Sequence, residues 1–203
     1  DHLIVATTEG YVIYDANKNN EMNEVASYSR PGKVKHVAIG DGKIVGLYLN
    51  DRTHGRKDAV DATIEVIDRD TEDFENSKTF SVSTNIQPND GKNVIAVNDS
   101  KIYVCQSGLG LYVYDMDGNE VGKWQMPKAW NEKKGIYKAL ALCNGCFVDN
   151  NYVYLAYGTY GIVVLDKNTL EVVTHRKTQN SANYITVKDG YMYVAYGRSR
   201  LQV

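Results

Sequence analysis

The sequence is short of several features that would assign it to a familiar class. Only three of its 203 residues are cysteine, Cys105, Cys143 and Cys146. An odd count argues against a disulfide framework and leaves cytosol and periplasm both open. No stretch approaches the roughly 18 apolar residues a membrane-crossing helix needs. Net charge is −2 and no basic run exceeds three residues, so the electrostatic footprint of a nucleic-acid-binding protein is missing. The opening "DHLIVATTEG" lacks a basic segment leading into a long apolar core, so it does not read as a signal peptide. A signal or lipid anchor removed upstream is compatible with it. No helical periodicity runs long enough to suggest βαβ units.

Catalytic and metal motifs are equally scarce. There is no Gly-x-Ser-x-Gly, and "GLG" at 108–110 precedes a strand pattern, without the rest of a dinucleotide fingerprint. The four histidines, His2, His36, His54 and His175, show no paired metal spacing. "CNGC" (143–146) has the CxxC spacing of zinc and thiol-redox sites. Structural zinc needs four ligands, and no second pair exists. Small buried residues at the start of a strand account for it better. "DMDGNE" (115–120) opens like a calcium loop, but the twelfth position is Met126 and the flanks read as strands, which fits a tight hairpin turn. No cofactor and no metal is expected.

What the sequence does hold is a repeat. Alternating strand patterns occur at "HLIVATTEG" (2–10), "KIVGLYL" (43–49), "KIYVCQSG" (101–108), "YVYLAYGT" (152–159) and "YMYVAYGRS" (191–199). Such alternation marks half-buried strands. Sixteen tyrosines against three phenylalanines fit faces where a ring packs and its hydroxyl stays wet. Each of the first four patterns is followed by a run ending in aspartate: "YVIYD", "IEVID", "LYVYD" and "IVVLD". Asp15, Asp68, Asp115 and Asp166 end these runs, 53, 47 and 51 residues apart. A polar turn and a third strand follow each, and a short strand ("KHVAIGDG", "NVIAVNDS", "CFVDNN", "YITVKDG") precedes each pattern from the second on. The repeated aspartates fit turn-forming residues whose side-chain oxygens bond the next backbone N–H groups.

Four short antiparallel strands, labelled a to d, repeating every 40–50 residues are the signature of β-propeller blades. The expected fold is therefore all-β, a single β-propeller domain of four-stranded blades over 1–203. Three blades are full (about 33–84, 91–127 and 145–178) and two are partial (1–30 and 182–203), so the propeller is incomplete. The chain is then part of a ring of six to eight blades, or a five-blade ring short of terminal strands, or one half of a homodimer joined through open blade edges. Met126–Leu142, with Pro127 and Gly135, is expected to be a long loop between blades.

The form "GIVVLDKNTLEVV" (161–173) resembles the LVIVD-type repeats of bacterial propeller proteins, which are similar to the YVTN and quinoprotein-like propellers. Quinoprotein-type enzymes carry a Trp-bearing repeat, and here only Trp124 and Trp130 occur, so that activity is not implied. The resemblance implies an exported or surface-attached bacterial protein, hence an extracytoplasmic (periplasmic or cell-surface) location.

In such a fold the b–c and d–a loops share one face, where binding sites gather. The insert Asn50–Ala62 brings Arg52, His54, Arg56 and Lys57 to it. Lys128–Tyr137 brings Trp130, Lys133, Lys134 and Tyr137, and the shorter loops bring Tyr160 and Arg198. Arg52, His54, Arg56, Trp130, Lys133, Tyr160 and Arg198 are the ligand-binding candidates: aromatic platforms beside cations suit glycans, peptides or protein partners. A non-enzymatic binding scaffold is the expected function, with no catalytic residues. The alternative is a hydrolase or lyase acting on a saccharide or lactone, with Asp41, Asp99, Asp149 and Asp189 near the a-strand ends as acid/base groups. A carboxylate with a strongly raised pKa in a cleft would favour that alternative.

Overall fold

The computed structural model describes residues 2–16, 21–50, 60–87, 92–127, 141–178, 180–197 and 200–203. All eighteen elements described are β-strands. They form five small antiparallel sheets of three or four strands, each strand paired with its sequence neighbour. The chain falls into two compact units, 1–91 and 92–203.

The first unit holds two sheets. One is β1 (His2–Ala6), β2 (Gly10–Ala16) and β3 (Met22–Ser29). The other is β4 (Lys33–Gly40), β5 (Lys43–Leu49), β6 (Val60–Asp68) and β7 (Lys78–Thr84). Because β6 begins at Val60, the insert expected to run to Ala62 ends sooner. Ile4, Tyr11, Ile13, Ile44, Tyr48 and Phe74 pack as one apolar cluster across the two sheets. Beside it lies a buried ion pair. Arg30, just after β3, donates Nε to Glu65 Oε2 at 2.9 Å, and its Nη2 reaches Glu65 Oε1. Arg30 also donates to the carbonyls of Ser29 and Phe74, and Ser77 donates to Glu65. The guanidinium lies over the Tyr11 ring, 5.4 Å from its centroid. The Tyr11 hydroxyl occupies the space where a Cβ at position 46 would stand, 1.8 Å away, so Gly46 lets the ring lie against β5.

The second unit holds three sheets. They are β8–β11 (Ile95–Asn98, Lys101–Cys105, Leu111–Asp115, Glu120–Trp124), β12–β15 (Gly145–Val148, Tyr152–Tyr157, Gly161–Asp166, Val172–Arg176) and β16–β18 (Ala182–Lys188, Tyr191–Tyr196, Arg200–Gln202). Asn93, buried before β8, ties all three. Its Nδ2 donates to the carbonyls of Cys146 (2.8 Å) and Ile185 (2.6 Å), and its Oδ1 accepts from Ile185 N–H at 3.2 Å. Cys146 N–H donates in turn to the Asn93 carbonyl. A Cβ at position 145 would lie 2.0 Å from Asn93 Oδ1, so Gly145 makes room for the tie. Asn144 repeats the device one sheet on, donating to the Ala182 carbonyl and to Asn183 Oδ1.

Two expectations change. The strands read as half-buried are buried on both faces in β5 and β9, because each of those sheets packs against a neighbour. Tyr11, Tyr103 and Tyr157 are accordingly among the largest fully buried side chains, although Tyr184 and Tyr191 do lie exposed. The last strands of the four-stranded sheets carry the exposure instead: every residue of β15 is exposed.

Replacing Arg30 with Ala leaves the Glu65 carboxylate buried without its cation. It is expected to cost about 3–5 kcal/mol of unfolding free energy in a denaturant titration. Asn93→Ala strands three main-chain groups in the interior, and about 3 kcal/mol is expected by the same measurement. A loss below about 1 kcal/mol for either would contradict its role.

Candidate functional site

Two hairpin turns recur, and each is built around an aspartate. At the first turn, Asp41-Gly42, Asp99-Ser100 and Asp189-Gly190 all have positive φ at both positions. This is the backbone of a type I′ two-residue hairpin, which Asp and Gly populate readily. In the fourth sheet Asp149 closes the equivalent turn by accepting from the N–H groups of Asn151 (2.8 Å) and Tyr152 (2.7 Å) and from the Tyr154 hydroxyl (2.8 Å). Asp99 pairs with Lys167, whose ammonium also reaches Asn98. Asp41, Asp99, Asp149 and Asp189 are thus turn residues.

At the second turn, Asp115 Oδ1 accepts from the N–H groups of Asp117 and Asn119, both at 2.9 Å. Asp166 Oδ1 accepts from Asn168 and Thr169, both at 2.9 Å. Asp68 accepts from Asp70 N–H and pairs with Lys43. These bonds favour the charged form, so Asp115 is held below the usual carboxylate range by Asn119, Asp166 by the N–H groups of Thr169 and Asn168, and Asp68 and Asp99 by Lys43 and Lys167. Asp149 is also lowered, its hydrogen bonds outweighing partial burial. Among the described residues no resolved shift raises a carboxylate. No described group of three His, Cys, Asp or Glu side chains is placed to hold a metal ion.

Aromatic side chains gather at the β13–β14 turn. Tyr160 stacks on His175 with centroids 3.9 Å apart and rings 14° from parallel, and His175 Nε2 lies 2.8 Å from the Tyr160 carbonyl oxygen. Trp124, on β11 of the preceding sheet, meets Tyr157 edge-on at 5.6 Å and Tyr160 at 6.4 Å. Tyr160 is only 6% exposed, so its ring face is already taken by His175, while His175 is exposed and Trp124 half-buried. Burial pushes the Tyr160 hydroxyl upward and holds it neutral. Apart from this cluster, a groove of about 290 Å³ lies between the fourth and fifth sheets and is lined by Ile162, Val164, Arg176, Met192 and Tyr196, among others.

Of the seven ligand-binding candidates only Tyr160 falls in the described residues. Arg52, His54, Arg56, Trp130, Lys133 and Arg198 lie outside them, as does most of the expected 126–142 loop. Trp124 and His175 were not among the candidates. The sequence signal for Trp124 was available: it ends the strand that runs into the 128–140 segment. His175 carried none, since its partner is a ring in the neighbouring turn.

Solved structures place this architecture. The chain superposes on BamB from Moraxella catarrhalis (14% identity, TM-score 0.56, 98% of this chain and 59% of that one). It also superposes on a luciferin-regenerating enzyme (12%, 0.64, 96% and 66%) and on the β-propeller domain of Myceliophteria thermophila Cps50, or Swd1 (10%, 0.62, 97% and 60%). At these identities the likeness is one of fold, and the fold is a β-propeller of five small sheets. The chain spans about 59–66% of the length of these three structures. Residues 7–203 match the family described as domain of unknown function DUF5074, and the chain belongs to that family. No curated protein matches the sequence.

The lowered carboxylates fix the sign of the acid response. Each has a folded-state pKa below its unfolded value of about 3.9, so its contribution is present above that value and is lost as pH falls through the folded pKa. The urea midpoint is expected to be flat from about pH 5 to 7 and to fall below about pH 4. The double variant Asp115→Asn/Asp166→Asn should fall less steeply, and an unchanged slope would show that these turns do not set it.

Proposed function

We propose that this protein is a non-enzymatic binding scaffold, in which the blades hold the b–c and d–a loops rigid and those loops hold a glycan, peptide or protein partner. In this reading the five sheets are repeats of one domain over 1–203, the three four-stranded sheets being full blades and the two three-stranded sheets partial ones. The repeats are of the LVIVD/YVTN-like kind, and the protein works outside the cytoplasm.

One observation carries the choice of scaffold over enzyme. The aspartates that a saccharide hydrolase or lyase would need as acid and base all close hairpin turns, and two of them, Asp99 and Asp149, are held below the usual carboxylate range by an ion pair and by turn hydrogen bonds. A general acid must keep its proton near neutral pH, and the lowering at Asp99 and Asp149 works against that. The half-buried Trp124 and the exposed His175, flanking Tyr160, supply rigid aromatic surface next to the start of the 128–140 segment. Such surface suits sugar faces and peptide side chains.

The test is an array of oligosaccharides and peptides, with hits confirmed by calorimetry. Arg52→Ala/Arg56→Ala, Trp130→Ala/Lys133→Ala and Arg198→Ala are each expected to weaken a confirmed ligand at least about tenfold, as residues at the centre of a site do. Hits unaffected by all three sets would move the site off this face. Turnover of an array saccharide or of a lactone, abolished by Asp149→Asn, would establish the enzyme in place of the scaffold.

A further inference from the structure

We propose that Cys105 and Cys143 are a modification site, a dithiol that a disulfide oxidant converts to one intramolecular disulfide, with Cys146 left as the free thiol. All three cysteines are buried and reduced in the structure. They come from two sheets of the second unit. Cys105 ends β9 of the third sheet, while Cys143 and Cys146 flank the entry to β12 of the fourth. Their sulfurs are not equivalent. Cys143 Sγ lies 3.0 Å from Cys105 Sγ, whereas Cys146, whose thiol also interacts with that of Cys105, directs its Sγ to the Tyr103 carbonyl oxygen at 3.7 Å.

The backbone fixes this arrangement. Ser107 and Cys143 form an isolated antiparallel bridge and exchange both hydrogen bonds, Ser107 N–H to Cys143 O at 3.2 Å and Cys143 N–H to Ser107 O at 2.9 Å. Cys105 N–H donates to the Val94 carbonyl at 2.8 Å. With both main chains held, a bond of about 2.05 Å needs the sulfurs to close by about 1 Å, within reach of a small side-chain rotation. Two thiols facing each other in an apolar interior gain little as a weak donor and a weak acceptor. The pairing is better suited to a covalent link.

The chemistry is thiol–disulfide exchange. The thiolate of one cysteine attacks a sulfur of the oxidant, a small-molecule disulfide or the active-site disulfide of an oxidase, and expels one thiol. The second cysteine attacks that mixed disulfide and expels the other. Two protons and two electrons leave the pair, and the oxidant is reduced to two thiols. Burial pushes both thiols up, outweighing the lowering of Cys143 by its hydrogen bond with Cys105, so the folded pair reacts slowly and oxidation accompanies folding or local opening. Once formed, the bond closes a loop containing β10, β11 and residues 128–140, and it ties the third sheet directly to the chain that enters the fourth.

The experiment uses the full chain, reduced and then refolded at pH 8 with oxidised and reduced glutathione. The product is alkylated in denaturant and mapped by tandem mass spectrometry. One cross-link between Cys105 and Cys143 is expected, with a mass loss of about 2 Da and one alkylated thiol at Cys146. Trypsin leaves Cys143 and Cys146 on one peptide, and fragmentation between Asn144 and Gly145 tells them apart. The oxidised protein should melt about 5–15 °C higher than the same sample reduced with dithiothreitol. Cys146→Ser should keep the bond, and Cys105→Ser and Cys143→Ser should each abolish it. The unsubstituted map decides the matter even where a variant fails to fold. Three alkylated thiols, glutathione adducts without a cross-link, or a Cys105–Cys146 bond would each overturn the assignment.

Discussion

The Asn93 carboxamide bonds the main chain of two other sheets, donating twice through Nδ2 and accepting once at Oδ1. Much of the second unit depends on it, because a three- or four-stranded sheet of short strands cannot bury its own faces. Its first strand must lie against the first strands of its neighbours, where main-chain polar groups crowd together away from water. A side chain that both donates and accepts satisfies those groups and sets the spacing at once. Gly145 is the other half of the arrangement, since any larger residue would fill the space Asn93 needs. The first unit meets the same demand with charge: Arg30 and Glu65, with Ser77 and the Phe74 carbonyl, form a network in which the buried carboxylate has several donors.

Within each unit these ties also bear on the turns that the strands carry. A loop is held only as well as the strands beneath it, and strands buried on both faces, such as β5 and β9, are held well. The β13–β14 turn shows the result. Tyr160 is fixed by the stacked ring of His175, the edge contact of Tyr157 and the tilted ring of Trp124, so the exposed part of the cluster is presented on a rigid base. Rigid presentation lowers the entropy lost when a partner docks.

The strands and turns were legible in the sequence because each is local. The alternation of "KIYVCQSG" and the aspartate closing "LYVYD" act through neighbouring residues and one hairpin partner. The ties were not legible, because each joins positions far apart in the chain. Asn93 bonds Ile185, ninety-two residues on, and nothing within its own strand marks it. A comparison of repeats would have done so. Asn93, Asn144 and Asn183 each stand two residues before the inner-strand position filled by Ile95, Cys146 and Ile185, the residues that pair with Val104, Leu155 and Val194. Tyrosine misled for a related reason: its polar tip suggested half-wet faces, yet Tyr103 and Tyr157 lie inside because neighbouring sheets cover both sides of their strands. The ligand-binding candidates, except Tyr160, fall on segments outside the described residues, and Tyr160 serves as the packed centre of a ring cluster.

The exposed last strands have a consequence for how copies of the protein meet. An outer strand offers unpaired N–H and C=O groups that another chain can extend. Val121 on β11 and Val172 and Val173 on β15 lie exposed there, which by itself would favour stacking into filaments. Charged or titratable side chains, Glu120 and Lys123 on one strand and His175 and Arg176 on the other, alternate with or follow those valines. A copy of the same strand added parallel and in register would set each of these side chains beside its own kind. Charge on an outer strand thus works against its extension by a second chain.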